Sequence, residues 1–433
     1  MLEKPPKVDI YCEDSFTVMA DSDFQNELKK IQDEYLYWNK VKYRPIEKDK
    51  VALWGAIKFH RSINSKNIIF GKYRFTYPST DYLQRSLHLF DLNIGGTLGS
   101  NIGIAETDKT KYIISSIMEE AISSSQMEGA NTTRKKAKEM IQQEKKPRTK
   151  SEQMIMNNYV TMKHIIQHKN EDLTIERLLE IHRLMCNKTM SDVNDEGAFR
   201  DGDDVFVEDT IKGENIYQPP PSDEIDTLIR DLCKFFNADE HDFIHPIIKG
   251  CIIHFMIGWI HPFTDGNGRT ARALFYWFML KKGYWLTEYL SISLIIKDTK
   301  HQYEKAYLHT EYDDNDLGYF ITYHVKIMEK AFEALKAYIG RKQKEVVQAA
   351  KFLKIDGVNE RMAQILKIIN DDNDRVLNSK GIEKRFNVSN YTAREDLKKL
   401  VKLGFLEVVQ VNKVKQNFIK SSSFDKLLKQ VNK

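Results

Sequence analysis

Cysteine and long apolar runs are scarce in this sequence, and their scarcity excludes several classes of protein. The four cysteines are scattered and form no CxxC pair, so neither a zinc site nor a disulfide framework is indicated. No uninterrupted apolar run reaches the roughly 18 residues of a membrane span, and the first residues lack a signal-peptide core. We therefore expect reduced thiols, a cytoplasmic location and no membrane partner.

Proline and net charge are also low. The 433 residues include ten prolines and no low-complexity tract, and 41% are hydrophobic and 30% charged, which is typical of a globular, helix-rich protein. The 66 basic residues nearly balance the 62 acidic ones, leaving +4. This is too little to indicate nucleic acid or a membrane as a partner of the whole chain. The length predicts about two to four domains.

The stretch from His261 to Arg272 (HPFTDGNGRTAR) combines the groups that a phosphate site needs. Apolar runs of helical length flank it, from Ile247 to Ile260 and from Arg269 to Leu280. Pro262 should end the first helix, since the residue before a proline avoids the α region. The glycines would then lie at the start of the second helix, where free N–H groups and the helix dipole attract anions. We infer a nucleotide-handling loop.

This stretch resembles the signature of the Fic family of AMP-transferring enzymes, HPFx(D/E)GNGRxxR, at all nine fixed positions. The resemblance implies an all-α Fic fold, with ATP as substrate and a Tyr, Ser or Thr hydroxyl of a target protein as acceptor. His261 would be the general base, and Asp265 would hold Mg²⁺ between the α- and β-phosphates. The residues implied at the phosphates are Gly266, Asn267 and Gly268 in the anion hole, and Arg269 and Arg272 at the β/γ end.

Elementary chemistry agrees with these roles. Nucleotidyl transfer depends on positioning, on charge stabilisation and on a base whose pKa is near neutral, which histidine supplies. A single histidine at a helix end is more often a capping or packing residue. The functional interpretation therefore rests on the complete signature rather than on His261 alone.

A second motif precedes the signature. From Thr110 to Ala130, apolar residues recur at helical spacing, and the end of this segment matches the (S/T)xxxE(G/N) inhibitory motif of Fic proteins through Ser124, Glu128 and Gly129. The resemblance implies an inhibitory helix over residues 111–130. Glu128 would then pair with Arg272, where the γ-phosphate of ATP is expected. The alternative is a plain helix end, with Gly129 in the left-handed conformation and Glu128 solvated.

The only clear strand signal in the core lies between the two motifs. The runs 205–207 and 216–218 are β-branched and aromatic and surround a polar turn, which predicts a hairpin. The Fic family has a GxxR segment, here Gly197 to Arg200, and a β-hairpin flap that holds the target peptide by main-chain pairing. A plain surface hairpin is the alternative.

Tyr303 falls where the family often shows the motif YYxxL near the adenine. Glu304 and Tyr307 depart from that motif, so only Tyr303 is carried over as a nucleotide-binding residue. Packing in an aromatic core is an equally good interpretation of Tyr303.

The region before the inhibitory motif has no catalytic spacing. It predicts helices around Phe24–Leu36, Lys50–Ser62 and Leu83–Leu92, and it resembles the amino-terminal domain of many Fic proteins. We interpret it as a helical scaffold.

The carboxy-terminal segment, residues 341–433, carries the excess of positive charge in this chain. From Arg341 to Lys433 there are 21 basic and 11 acidic residues, a net +10, so the first 340 residues carry −6 of the total of +4. Three helices are predicted, at 359–369, at 379–386 and from the N-cap Ser389 to about residue 403. Alternating residues 405–418 then predict a two-stranded wing that turns near residues 412 and 413.

This order resembles a winged helix-turn-helix, through the pattern SxxTxxxxLxxLxxxG that starts at Ser389. Such a domain would place side chains in a DNA groove and wing lysines on phosphates. A winged helix used for protein contact or dimerisation is the alternative. The candidate DNA-binding residues are Asn390, Tyr391, Arg394 and Lys398, with Lys413 and Lys415 in the wing.

The sequence thus predicts a mainly α protein of three domains. These are an amino-terminal helical domain at 1–110, a Fic core with a β-hairpin flap at 111–340, and a carboxy-terminal winged-helix domain at 341–433. We predict an autoinhibited protein adenylyltransferase. A deAMPylase that uses Glu128, a transferase of another nucleotide and a nucleotide-sensing, DNA-binding transcription regulator are the alternatives. A homodimer is left open.

Overall fold

The computed structural model describes residues 2–93, 106–204, 207–209, 214–238, 243–284, 290–373, 375–386, 388–410 and 416–431. Within these ranges the chain is mainly helical, with three two-stranded antiparallel sheets, so the predicted fold class is confirmed as mainly α. None of the helices in these ranges is both long enough and apolar enough to span a bilayer. The chain divides into two compact units, Met1–Leu335 and Lys336–Lys433. The three predicted domains stay a prediction.

The first unit contains most of the helices and two hairpins. In chain order the elements are α1 (Glu13–Met19), α2 (Ser22–Glu34), α3 (Trp38–Val41), α4 (Lys50–Ile63), β1 (Ser65–Phe70), β2 (Tyr73–Pro78), α5 (Asp81–Asn93), α6 (Glu106–Met127), α7 (Arg134–Gln142), α8 (Lys150–Gln167), α9 (Ile175–Cys186), β3 (Val207–Asp209), β4 (Glu214–Tyr217), α10 (Ile225–Asn237), α11 (Pro246–Ile260), α12 (Asn267–Lys281), α13 (Ile292–Asp298) and α14 (Lys300–Tyr312). The next helix, α15 (Gly318–Ala349), begins in this unit and continues past its last residue, Leu335.

Helices α11 and α12 form the centre of this unit. Each has 15 residues, of which 13 are buried, as expected for helices that are apolar on all sides. They pack closely because Gly250 has no side chain, and a Cβ there would lie 3.0 Å from Sδ of Met279. The loop between them carries the signature, so that loop is fixed at both ends by the core.

The hairpin β1–β2 was not predicted. Its strands pair in register from Ser65 with Pro78 to Phe70 with Tyr73, around a two-residue turn in which Gly71 has φ +55°. Glycine tolerates this left-handed conformation. The signal was present as two β-branched and aromatic runs around Gly71, but the broken pattern of the region obscured it. The predicted hairpin is present as β3–β4; residues 205, 206 and 210–213 of that prediction lie outside the described residues.

A buried arginine joins the amino-terminal helices to α14 and α15. Arg61 donates to the hydroxyl of Tyr319 at 2.6 Å, and its guanidinium lies 4.0 Å from the ring centre of Tyr35. Asp313 and Asp316 each approach it within 3.9 Å, and both are buried. Because this cluster binds the end of α14, it helps to fix the helix that carries Tyr303.

The second unit has its own core. Helices α16 (Glu360–Asp371), α17 (Ser379–Phe386) and α18 (Asn390–Lys402) precede the hairpin of β5 (Leu406–Gln410) and β6 (Gln416–Lys420), and α19 (Phe424–Val431) follows. Apolar side chains from all these elements form one buried cluster. Its identity as a winged helix stays a prediction. Asn387 and the hairpin turn at residues 411–415, with Lys413 and Lys415, lie outside the described residues.

We expect the substitution Arg61→Met to destabilise the first unit strongly. It would leave the carboxylates of Asp313 and Asp316 buried without their guanidinium, and breaking such a pair costs about 3–5 kcal/mol. Urea unfolding followed by circular dichroism should show a lower midpoint. The control is Arg44→Met, because Arg44 pairs with Glu27 and Glu34 at the surface and such pairs contribute about 0–1 kcal/mol. Equal midpoints for the two variants would show that the buried contacts of Arg61 do not stabilise the first unit more than a surface ion pair does.

Candidate active site

The signature loop begins with a strained turn at His261. Helix α11 ends at Ile260, and His261 follows in the left-handed conformation, with φ 50° and ψ 56°. Few residues other than glycine adopt this conformation. Arg200 holds the turn: its Nε donates to the carbonyl of His261 at 3.0 Å and its Nη2 to that of Pro220 at 2.5 Å. Arg200 therefore ties the loop to the segment that follows the β3–β4 hairpin.

A carbonyl group of α11 sets the tautomer of the His261 ring. Its Nδ1 lies 3.3 Å from the carbonyl oxygen of Gly258, so Nδ1 carries the hydrogen and Nε2 keeps its lone pair. Burial lowers the pKa of His261 and outweighs the carbonyl contact and the negative charge of Glu128, which both raise it. The ring is thus neutral at physiological pH and can accept a proton.

The loop closes on itself through Asn267. The side-chain amide of Asn267 donates to the carbonyl of Phe263 at 2.8 Å and accepts from its N–H at 3.0 Å. In this structure the amide therefore shapes the loop, and its predicted contact with the α-phosphate stays a prediction. Gly266 precedes α12 with φ 85°, and no side chain of the described residues caps this helix, so its first N–H groups are suited to an anion.

His182 is a supporting residue that sequence reasoning missed. The N–H of Gly197 donates to its Nδ1 at 3.0 Å, so the ring hydrogen lies on Nε2 and is donated to the carbonyl of Asp265 at 2.8 Å. The ring also stacks on Phe263 at 3.7 Å. Burial lowers the pKa of His182 to about 4, so it stays neutral. The one sequence signal for this supporting role is that His182 falls on the apolar, buried face of α9.

The two signature arginines point to different partners. Arg269 donates to the carbonyl of Met185 at 3.0 Å and lies 3.7 Å from Sγ of Cys186, so it binds the carboxy-terminal end of α9. Both arginines were expected at the phosphates because they share a helix face. The structure brings only Arg272 to the inhibitory motif, and a phosphate contact of Arg269 stays a prediction.

Arg272 is held by the end of α6. Its Nε donates to Oγ of Ser124 at 2.9 Å, and its Nη2 donates to Oε1 of Glu128 at 2.8 Å and to the carbonyl of Ser124 at 3.1 Å. Burial would raise the pKa of Glu128, but the charge and hydrogen bond of Arg272 outweigh it and lower that pKa. Glu128 is therefore ionised at neutral pH. Its side chain is 30% exposed, which also favours the charged form.

Two glycines make this contact possible. Gly129 ends the segment with φ 90°, so the chain turns directly after Glu128. Gly268 lies beneath the carboxylate, and a Cβ at that position would be 2.3 Å from Oε1 of Glu128. The predicted inhibitory residues and the predicted anion hole are thus adjacent in space.

Glu120 anchors α6 to the core and was also missed. It is buried, and it accepts from the hydroxyl of Tyr276 at 2.8 Å and from the N–H of Ser293 at 3.1 Å. Its partners are far away in sequence, so no local pattern marks it. Through Glu120, the helix that ends in Ser124 and Glu128 has a fixed position against α12 and α13.

Asp265 is the only carboxylate in the loop. Its side chain is 53% exposed and its Oδ1 accepts from the N–H of Gly266 at 2.5 Å. No group of three His, Cys, Asp or Glu side chains that could hold a metal occurs in the described ranges. One accessible carboxylate fits Mg²⁺, which is usually bound by one or two carboxylates, substrate phosphates and water.

Tyr303 lies at the back of the site. Its hydroxyl is 2.9 Å from Nε2 of His254, and the charge of Arg272 partly offsets the rise in its pKa that burial causes. The predicted contact of Tyr303 with the adenine stays a prediction. Tyr217 of β4 donates to the carbonyl of Trp259 at 2.8 Å, which ties the hairpin to α11.

The site thus brings together a neutral imidazole at His261, the amino terminus of α12 and the buried guanidinium of Arg272. Residues 172–279, which include the signature loop and α11, match the family described as the Fic/DOC family.

Curated proteins are similar to part of this chain. The protein adenylyltransferase Fic of Nematostella vectensis is 27% identical over 169 residues, which are 39% of this chain and 35% of that protein. The protein of the same name from Culex quinquefasciatus is 32% identical over 126 residues, which are 28% of this chain and 23% of that protein. The chain spans well under half the length of these relatives.

Solved structures are also similar. A Fic family protein from Desulfovibrio desulfuricans G20 has a TM-score of 0.47 and 19% identity, covering 73% of this chain and 89% of that chain. Fic-1 from C. elegans has a TM-score of 0.48 and 18% identity, covering 74% and 85% respectively.

We expect His261 to titrate on the acid side of the ordinary histidine pKa, which is about 6.5. Because Glu128 raises the pKa of His261, the substitution Glu128→Gly should lower it further. Histidine NMR titrations of both proteins would measure the two midpoints, with His261→Ala to assign the signal. A midpoint that rises in Glu128→Gly would show that Glu128 does not act on this ring.

Proposed function

We propose that this chain is an autoinhibited protein adenylyltransferase that moves AMP from ATP to a Tyr, Ser or Thr hydroxyl of a target protein. The Fic domain and the names of the curated relatives support the reaction type. The observation that carries the proposal is the ion pair of Glu128 with Arg272 over Gly268. It combines the inhibitory motif and the signature in one site.

In the proposed reaction, Nε2 of His261 takes the proton of the acceptor hydroxyl. The hydroxyl oxygen forms a bond to the α-phosphorus of ATP while the bond to the β-phosphate oxygen breaks, and pyrophosphate leaves. The N–H groups of residues 267 and 268 stabilise the negative charge at the phosphates, and that of Gly266 would join them once it leaves Oδ1 of Asp265. Mg²⁺, held by Asp265, would neutralise phosphate charge.

Inhibition follows from competition for one cation. While Glu128 pairs with Arg272, the γ-phosphate cannot occupy that place, and ATP enters with its phosphates displaced. The α-phosphorus is then misaligned for attack, and small misalignments can cost orders of magnitude in rate. Removing the carboxylate should release the enzyme without adding any catalytic group.

We expect Glu128→Gly to raise auto-AMPylation substantially, measured as transfer from labelled ATP. Arg272→Ala also frees Glu128 but removes the γ-phosphate contact, so it should not raise transfer. The double variant Glu128→Gly/His261→Ala is the matched inactive control, because losing a general base costs about 10² to 10⁴ in rate. If Glu128→Gly were no more active than wild type with ATP, Mg²⁺ and a competent acceptor, intramolecular inhibition by this residue would be wrong.

The alternatives use the same site differently. A deAMPylase would use Glu128 to orient a water towards a modified target, and a transferase of another nucleotide is compatible with the phosphate contacts. Comparison of labelled ATP, GTP, CTP and UTP in the Glu128→Gly background separates the nucleotides, and a pre-modified target tests removal of AMP. A cytoplasmic location and a homodimer stay predictions.

We further propose DNA binding by the second unit, either beside the transferase activity or as a nucleotide-sensing transcription regulator. A cleft between α17, α18 and β6 is lined by Lys380, Asn390, Arg394 and Lys398, among others. Tyr391 is 75% exposed. Two of the cleft residues already have partners, since Asn390 donates to Glu383 at 2.6 Å and Lys398 pairs with Glu395 at 3.2 Å.

We expect the full chain to bind duplex DNA weakly and with steep salt dependence. The double variant Arg394→Ala/Lys398→Ala should weaken binding, and the salt slope should fall by about 1 for each cation removed from a phosphate. Fluorescence anisotropy at several salt concentrations measures both. Lys426→Ala is a control on α19, away from the cleft. If the full chain does not bind even at low salt, the protein-contact interpretation replaces this one.

A further inference from the structure

The buried ring of His182 on α9 forms hydrogen bonds through both of its nitrogens. Its Nδ1 accepts the backbone N–H of Gly197 at 3.0 Å, and its Nε2 lies 2.8 Å from the carbonyl oxygen of Asp265. Because a backbone N–H can only donate, Nδ1 carries the lone pair and the hydrogen lies on Nε2. Sγ of Cys186 is also near Nε2, at 3.3 Å, but sulfur is the weaker acceptor. His182 therefore donates to the carbonyl of Asp265.

That carbonyl belongs to the peptide group that directly precedes α12. The peptide group is trans, so the carbonyl of Asp265 and the N–H of Gly266 point in opposite directions. The N–H donates to Oδ1 of Asp265 at 2.5 Å. The peptide group is thus held on one side by His182 and on the other side by the carboxylate of Asp265.

Gly266 does not fix the orientation of this peptide group by its own stereochemistry. Its φ is 85°, and glycine adopts positive and negative values of φ about equally readily. A larger residue does not fit, because a Cβ at this position would lie 2.6 Å from Sγ of Cys186 and 3.2 Å from Nε2 of His182. Rotation of the peptide group changes only ψ of Asp265 and φ of Gly266. The hydrogen bonds at its two ends therefore decide its orientation.

We propose that His182 is a positioning residue that keeps the N–H of Gly266 turned towards the phosphates during transfer. The inference rests on the proposed function, in which the carboxylate of Asp265 holds Mg²⁺ and the N–H of Gly266 joins the anion hole. Once that carboxylate has turned away, His182 is the remaining hydrogen-bond partner of the peptide group among the described residues. Without His182 the peptide group would be free to turn over, and its carbonyl oxygen would then face the negatively charged phosphates.

Two substitutions of His182 separate its two hydrogen bonds. The carboxamide of glutamine reaches the position of Nε2 and can still donate to Asp265, whereas that of asparagine reaches only the position of Nδ1, near the N–H of Gly197. Both variants lose the ring that stacks on Phe263 at 3.7 Å, so a difference between them reports the hydrogen bond to Asp265. The matched control is His88→Asn, because His88 is exposed on α5.

The first measurement observes the peptide group without nucleotide or metal. Asp265→Ala removes the carboxylate that holds the N–H of Gly266, and it creates an Ala–Gly pair in a sequence that otherwise has none. Labelling alanine with ¹³C at the carbonyl and glycine with ¹⁵N then gives one NMR signal, from the peptide group of residues 265 and 266. In this background we expect one sharp signal with His182, His182→Gln or His88→Asn. With His182→Asn the signal should double or broaden by exchange.

The second measurement is the kinetics of transfer in the Glu128→Gly background. His182→Asn should lower kcat about 10²-fold, because removing one donor from such an anion hole costs about 10² to 10³ in rate. The fall in kcat should exceed the rise in KM, since the anion hole stabilises charge that develops in the transition state. His182→Gln should retain most of the kcat of the background, and His88→Asn should match it.

Other outcomes overturn the proposal. A single sharp signal with His182→Asn would show that the peptide group keeps its orientation without this histidine. Equal effects of His182→Asn and His182→Gln, on the signal or on kcat, would show that the ring acts only through its packing on Phe263. A chain that gives the expected NMR signals but transfers no AMP would refute the proposed reaction and leave His182 as the residue that orients the peptide group.

Discussion

The site depends on one constraint: the guanidinium of Arg272 is buried and always charged, so it must face an anion. Arginine does not deprotonate in proteins, and a buried, unpaired charge is strongly destabilising. Here the anion is Glu128, at 2.8 Å. A triphosphate would satisfy the same constraint, so the proposed inhibited and active states would meet one electrostatic requirement with two different anions.

The same constraint requires α6 to have a fixed position against the core. The carboxylate of Glu128 has to lie within hydrogen-bond distance of Arg272, and Glu120, two turns earlier, fixes the helix through Tyr276 and Ser293. The turn at Gly129 then directs the chain away. The anchor Glu120 and the carboxylate of Glu128 are separate residues, so the proposed release of Arg272 requires a change only in the last turn of α6 and the residues after it.

Much of the fold was predictable because its signals are local. Helix α11 ends shortly before Pro262, and α12 begins directly after Gly266. The predicted bounds of these two helices differ from the observed bounds by at most two residues. The hairpin β1–β2 was missed because its pattern lies in a region of broken periodicity.

The partners of individual side chains were less predictable. Arg269 and Arg272 share a helix face, yet one binds Met185 and the other Glu128. His182 supports the loop through contacts with Asp265 and Gly197 that no spacing in the sequence reveals. The hydrogen-bond partners of these side chains belong to segments that are distant in sequence and become neighbours only in the folded chain.

Gly268 carries two requirements at once. A side chain there would collide with the carboxylate of Glu128 and would also lie 3.2 Å from Nη1 of Arg272, in the space that a phosphate needs. Under the proposed mechanism, a substitution at Gly268 would displace the carboxylate but would also obstruct the nucleotide site. That mechanism therefore predicts that constitutively active forms in a genetic selection carry changes in α6 or in the turn after it rather than at Gly268.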